Sequence, residues 1–180
     1  MSETDQDAGS QSDYADEWIE NDEVREILQE SLDKTDYQIY RVLNENGRVS
    51  DTEIAERVGL SRTAVRRRRE NLQDEGVLDV LAVLILQEAD LAYADVRVKL
   101  SSEPTQEELE EFVQDLLYEE LIYEIDEYLN EYDLLVRVWH SSLRNLKQYV
   151  NETLQSKRAV DSYDIEPVIK TRKAWHKVIE

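Results

Sequence analysis

The chain has 180 residues, 41% of them hydrophobic, which is enough for one medium domain or two small ones with a buried core. Acidic residues outnumber basic ones 42 to 21, a net charge of −21, and there are no cysteines and two histidines, His140 and His176. This excludes disulfides, thiolate catalysis and cysteine-based zinc sites, and it leaves a histidine-rich metal centre or a Ser–His–Asp triad little to work with. The longest apolar run, 80–86, is strand-sized, far short of the roughly 20 residues that cross a bilayer. The opening residues, MSETDQDAGS, have the pattern of neither a secretory signal nor a transit peptide, so a cytoplasmic protein with no membrane contact is expected.

Residues 1–16 are polar and acidic and are expected to form a disordered tail. Over 17–31, Trp18, Ile19, Val24, Ile27 and Leu28 fit one helical face and predict an extra helix. A domain over 32–83 follows. Asp33 or Thr35 caps its first helix, Ile39, Val42 and Leu43 form the apolar stripe, and Gly47 suits a left-handed end. Ser50, with Glu53 three residues on, makes a capping box for a second helix that turns Ile54, Ala55 and Val58 inward. Gly59-Leu60 is a tight turn, Ser61 caps a third helix running to about Glu75, and Gly76 stops it. Residues 77–83, rich in Val and Leu, read as a short hairpin or wing, with 84–91 as connector.

From Ala92 to Lys170 the pattern changes. Residues 93–100 alternate with strand periodicity, and Pro104-Thr105 opens a helix. Residues 122–128 and 134–140 read as paired strands, 142–154 as a helix and 163–171 as a last strand, leaving 171–180 as a mildly basic tail. The fold class is α+β, a winged helix-turn-helix followed by a split βαβ (ferredoxin-like) domain. A sheet with both helices on one face leaves the other to be covered, so dimerisation through the sheet is expected.

The functional signal is the helix-turn-helix over 51–75. Its second helix holds the one basic concentration in the chain, Arg62, Arg66, Arg67, Arg68 and Arg69. Val65 and Leu72, seven residues apart, define the buried face, so Thr63, Arg66, Arg67 and Glu70 project away from it, and Arg62 lies in the first turn, which enters a groove first. Arginine there contacts phosphates or guanine O6/N7. The DNA-binding residues expected are Ser61, Arg62, Thr63, Arg66, Arg67 and Arg68. Arg69 falls on the apolar stripe; its stem is expected to pack inward and its guanidinium to reach a carboxylate. The charge of −21 opposes DNA binding unless salt screens it. Acid spread through every other segment points to a solvated surface suited to very high salt, as in halophiles, over mimicry of nucleic acid.

On these residues the chain resembles the Lrp/AsnC (feast/famine) family of bacterial and archaeal transcription regulators, and its charge points to a halophilic archaeon. The matching stretches are Leu32-Asp33-Lys34-Thr35-Asp36, Ile39, Asn46-Gly47-Arg48-Val49-Ser50, 53–61, Val65, Arg68, Leu72 and Glu75-Gly76-Val77-Leu78. Glu131-Tyr132-Asp133-Leu134-Leu135-Val136 is similar to the family's Gly-x-Tyr-Asp strand. The resemblance covers about 32–170. It implies a dimerisation/effector domain, homodimers or higher even-numbered oligomers, and an amino-acid effector, placed here at Asn130, Tyr132 and Asp133. This chain departs from the family pattern at Arg69, usually apolar, and at Asn130, usually glycine, and the second departure argues against amino-acid sensing. No cofactor is expected.

Other groupings have plainer explanations. Asp126, Glu127, Glu131 and Asp133 could hold a divalent cation, but in so acidic a chain such clusters arise by chance, and no metal site or catalytic set is assigned. Tyr118, Tyr123, Tyr128 and Tyr132 read as sheet and interface packing, Trp139 as a subunit contact and His140 as a strand-end residue. The expected function is sequence-specific binding of double-stranded promoter DNA through 61–75, without enzymatic activity. The alternative is a ligand-sensing oligomer whose winged helix contacts other proteins.

Overall fold

The computed structural model describes residues 18–174 and the backbone of 177–178. The tail expected over 1–16, together with Glu17 and His176, lies outside the described residues. The chain divides into two compact units between Ala82 and Val83.

In the first unit, α1 (Asp22–Leu28) is shorter than the helix expected over 17–31, and none of its residues is buried. The Arg25 guanidinium draws the preceding residues back by donating to the carbonyls of Ile19 at 2.6 and 3.0 Å and Glu20 at 3.2 Å. The Trp18 ring meets Tyr37 edge-on at 5.1 Å. Three helices then pack together. α2 (Lys34–Glu45) starts from a capping box in which Asp33 and Asp36 satisfy each other's backbone N–H. α3 (Asp51–Val58) has the same device from Ser50 and Glu53, and Ser61 caps α4 (Arg62–Asp74) by accepting from the Ala64 N–H at 3.2 Å. Each cap occupies backbone donors that the first turn leaves free. The core joins Leu32, Ile39, Val42, Leu43, Val49, Ile54, Ala55, Val65, Leu72 and Leu78.

Gly59 ends α3 in the left-handed conformation at φ 71°, and Gly76 does the same after α4 at φ 69°. At Gly59 the turn brings the Leu60 N–H back to the Ala55 carbonyl at 3.0 Å, which sets the angle between α3 and α4. Gly47 corrects the expectation: its φ is not positive. Asn46 ends α2 in extended backbone, and the missing Cβ of Gly47 matters because it would lie 3.1 Å from Val80 Cγ1.

The wing over 77–83 is also corrected, because no strand forms there. Leu78 is buried, while Val77, Val80, Leu81 and Val83 are exposed. The richness in Val and Leu favours extended backbone, but the run has no Asn-Gly or Gly-x turn on which to fold back, so it has no second strand to pair with.

The second unit contains β1 (Ala92–Leu100), α5 (Gln106–Leu117), β2 (Ile122–Glu127), β3 (Leu134–His140), α6 (Leu143–Leu154) and β4 (Val160–Pro167). The four strands form one antiparallel sheet in the order β2-β3-β1-β4, the split βαβ arrangement. β4 starts earlier and ends earlier than the 163–171 expected. A register shift at Lys99/Leu100 pairs Leu100 with Val160, and Pro167 has no N–H with which to extend a ladder. Beyond it, Thr171 N–H donates to Gln87 Oε1 at 3.0 Å and to the Tyr93 hydroxyl at 3.1 Å.

Ala94, Val96, Val98, Leu134, Val136 and Val138 bury one sheet face under Phe112 and Leu116 of α5 and Leu146, Val150 and Leu154 of α6. Alternation puts Asp95, Arg97 and Lys99, Leu135, Arg137 and Trp139, and Asp164 and Glu166 on the other face. That face is charged. Arg137 sits among Asp95 at 3.5 Å, Asp126 at 3.3 Å and Glu124, and Arg97 pairs with Glu166 at 3.0 Å.

Candidate nucleic-acid interface

Helix α4 is held by two apolar anchors, Val65 at 0% exposure and Leu72 at 3%. Ser61, Arg62, Thr63, Arg66 and Arg67 are exposed, and Arg68 and Arg69 are half-buried. The five arginines fall into three groups.

Arg68 and Arg69 face back into the unit. Arg68 Nη1 donates to Asp33 Oδ2 at 2.7 Å and Asp36 Oδ1 at 2.8 Å, clamping α4 to the capped start of α2. Arg69 Nη1 donates to Asp51 Oδ1 at 2.8 Å, tying α4 to the first residue of α3; Asp51 is the carboxylate that its place on the apolar stripe called for. Arg66 forms a pair on the helix surface, its Nε donating to Glu70 Oε1 at 2.8 Å. Arg62 and Arg67 are left over: among the described residues neither forms an ion pair or a side-chain hydrogen bond.

The clamp at Arg68 changes what that residue offers. Its guanidinium, expected among the DNA-contacting groups, is already taken by two carboxylates, and it fixes the rotation of α4 so that Thr63, Arg66 and Arg67 face outward. Burial alone would raise the Asp33 carboxyl above its ordinary 3.8, but the Asp36 N–H and the Arg68 guanidinium outweigh it and hold the carboxyl below that value. Replacing Arg68 by methionine keeps the stem and removes the charge, leaving Asp33 and Asp36 facing each other; the expected loss is about 1–3 kcal/mol. The Asp33 pKa is lower in the folded chain than in the unfolded one. The contribution of this pair is therefore complete above about pH 4 and fades as pH falls through the depressed folded value. Urea unfolding of wild type and Arg68→Met across pH 2.5–7 (a range centred on ordinary carboxylate values) is expected to show the two curves converging only on the acid side.

The expected effector residues lie in the turn between β2 and β3, and each has work inside the chain. Asn130 Oδ1 accepts from the Tyr132 N–H at 2.9 Å. The Tyr132 hydroxyl donates to Asp164 Oδ2 at 2.6 Å, and Arg97 stands over its ring at 5.9 Å. Asp133 Oδ2 accepts from the Leu100 N–H at 2.7 Å, pinning the turn to β1. Near the end of β3, the ring of His140 lies 6.2 Å from that of Tyr149, whose hydroxyl donates to Glu119 at 2.8 Å. Burial and this bond raise the Tyr149 hydroxyl pKa. Among the described residues no group of three or more His, Asp or Glu side chains is arranged to hold a metal ion, and no helix is long and apolar enough to cross a membrane.

Two family models match the chain, one described as the AsnC-type helix-turn-helix domain over residues 32–73 and one as the Lrp/AsnC ligand binding domain over 92–176. An uncharacterized HTH-type transcriptional regulator of Pyrococcus horikoshii is 35% identical over 74% of this chain and 84% of its own length. The proline dehydrogenase transcriptional activator of Rhizobium radiobacter is 31% identical over 74% of this chain and 86% of its own. Among solved structures, a transcriptional regulator of Neisseria meningitidis in complex with L-Met superposes with a TM-score of 0.71 at 29% identity, covering 79% of this chain and 93% of that one. The helix-turn-helix, the antiparallel α+β domain behind it and these relatives agree: the chain is a DNA-binding transcription regulator and belongs to the Lrp/AsnC family.

Proposed function

We propose that this regulator reads promoter DNA through α4, with Arg62, Arg66 and Arg67 making the contacts and Ser61 and Thr63 at the leading end of the helix. The observation that carries this reading is the state of Arg62 and Arg67, exposed and without ion-pair partners among the described residues, in a chain of net charge −21. Arg66, Arg68 and Arg69 of the same helix are engaged by carboxylates of the unit. Arg62 and Arg67 extend from a helix anchored by Val65 and Leu72 with their guanidinium forks open, and phosphates and guanine edges match that fork. Arg68 belongs to the set as the clamp behind the readers.

The acidic surface fits DNA binding in concentrated salt, and with it an origin in a halophilic archaeon. The Debye length falls to about 3 Å at 1 M, so distant carboxylates no longer repel the duplex while contacts at the helix survive. The protein acts in the cytoplasm as a homodimer or higher even-numbered oligomer, one α4 per half-site, on a site of roughly two-fold symmetry. The sheet face opposite α5 and α6 is the surface left for a second copy. No catalytic role is assigned to any residue.

An amino acid is the effector class that the L-Met complex of the Neisseria relative supports. Because Asn130, Tyr132 and Asp133 are spent on holding their turn, such an effector takes its contacts from elsewhere on the domain or from a second copy. Genome-wide occupancy of the native protein, before and after an amino-acid shift, tests the assignment. Discrete promoter peaks that change with the shift support regulation by an amino acid, and constant peaks support regulation without one. Absence of peaks defeats the DNA-binding reading.

A further inference from the structure

Glu70 is an unfavourable residue in this place. It lies on the outward part of α4 with Thr63, Arg66 and Arg67, its side chain is 55% exposed, and a carboxylate there repels phosphates and every acceptor on a base edge. Only a base-edge donor, cytosine N4 or adenine N6, can meet it favourably. Its bond to Arg66 is also specific in form. Glu70 Oε1 takes the Nε proton, which leaves the two terminal amino groups of Arg66, on a side chain 64% exposed, as a donor pair of the kind that fits guanine O6 and N7. The two Cα atoms are about 6 Å apart along the helix axis, within reach of one base pair or of neighbouring pairs. The clamps at Arg68 and Arg69 hold α4 in one rotation, so the pair has a fixed direction.

From this geometry we infer that Arg66 and Glu70 form a single reading unit for guanine with an adjacent cytosine amino group. Arg66 takes guanine O6/N7 and Glu70 accepts from cytosine N4 on the same or the next base pair. Glu70 is then a specificity-determining residue with two effects: it directs the Arg66 fork, and it penalises sequences that present an acceptor where cytosine N4 should be. In water a surface pair one helical turn apart is weak. In the groove, where water is excluded, the same pair tightens. The inference rests on α4 being the DNA-reading helix.

The test is selection from a randomised double-stranded DNA library by the full chain in molar KCl, for wild type, Glu70→Ala, Glu70→Gln and Arg66→Lys. Wild type is expected to enrich a motif with a G·C step in each half-site. Glu70→Ala is expected to bind unselected DNA more tightly and to lose about tenfold of its preference at that step alone, the rest of the motif persisting. Glu70→Gln relaxes the cytosine requirement because its amide can donate as well as accept, and Arg66→Lys blurs the guanine. If Glu70→Ala tightens binding to all DNA and keeps an identical motif, Glu70 is a bystander and the inference fails while the function stands. If wild type enriches no motif, the function fails and takes the inference with it. Glu70 is exposed and makes no core contact, so loss of fold does not enter; circular dichroism of each variant checks this.

Discussion

Replacing Arg62, Arg66 and Arg67 together by glutamine is expected to abolish specific DNA binding in molar KCl without unfolding the chain. All three side chains are exposed, so their removal leaves the core of the unit intact. Each good bidentate contact to guanine is worth about 1–3 kcal/mol, so three lost contacts per half-site weaken binding by at least about 10²-fold at 1.4 kcal/mol per decade. The salt dependence carries separate information. Each arginine that touches a phosphate contributes about 0.9 to the slope of log affinity against log salt. Repulsion from the rest of the acidic chain is nearly common to wild type and variant, so the difference between their slopes counts phosphate contacts on α4. Fluorescence anisotropy on a selected site, titrated with KCl, measures both quantities. Unchanged affinity in the variant would leave the winged-helix region as a protein-contact surface, although the strands of a wing are themselves missing.

The second large effect is expected at Ile54. Its side chain, on α3, is fully buried at 0% exposure in the core that joins α2, α3 and α4. Cutting it back to alanine removes three carbons and leaves a cavity, at a cost of about 2–5 kcal/mol. That is a large share of the roughly 5–15 kcal/mol that holds a typical domain folded. Ile54→Val removes one methylene and is expected to cost about 0.5–1.5 kcal/mol. Thermal unfolding in one fixed concentration of KCl should rank wild type above valine above alanine. DNA affinity of the alanine variant should fall with the folded fraction of the first unit, though no DNA-facing residue has changed. Equal stability of the three proteins would show that this core does not support α4.

The elements were legible where their causes are local. Asp33, Ser50, Ser61 and Thr105 cap helices within three residues of themselves, Gly59 and Gly76 take left-handed turns, and alternation in β1 and β3 gives their buried faces directly. The wing is not legible because a run rich in Val and Leu reports a preference for extended backbone, whereas a strand also needs a partner. Gly47 was misread for a similar reason: what it avoids is Val80, thirty-three residues away, and not a backbone conformation.

The candidate site divides in the same way. The outward set on α4 follows from the positions of Val65 and Leu72. The partners of the inward arginines do not, since 42 carboxylates offer no means of choosing Asp51 for Arg69, or Asp33 and Asp36 for Arg68. The role of Arg68 left a trace that could have been followed. It stands three residues after Val65 and four before Leu72, as close to the buried stripe as Arg69, which stands four after and three before. The same reasoning that turned Arg69 inward applies to both. The effector turn shows the converse. Asn130, Tyr132 and Asp133 stand where the family resemblance places a ligand, but their bonds hold β1, β4 and the turn in register.

Helix α4 is expected to enter the DNA with its outward face touching bases. A photo-reactive benzophenone side chain placed at position 63, on that face, tests it directly; the same group at position 118, where Tyr118 is 86% exposed in the second unit, is the comparison. Irradiation of the complex with a selected duplex is expected to cross-link DNA from position 63, at a base within each half-site, and not from position 118. Full binding without a cross-link from position 63, or a cross-link from position 118 alone, would contradict it.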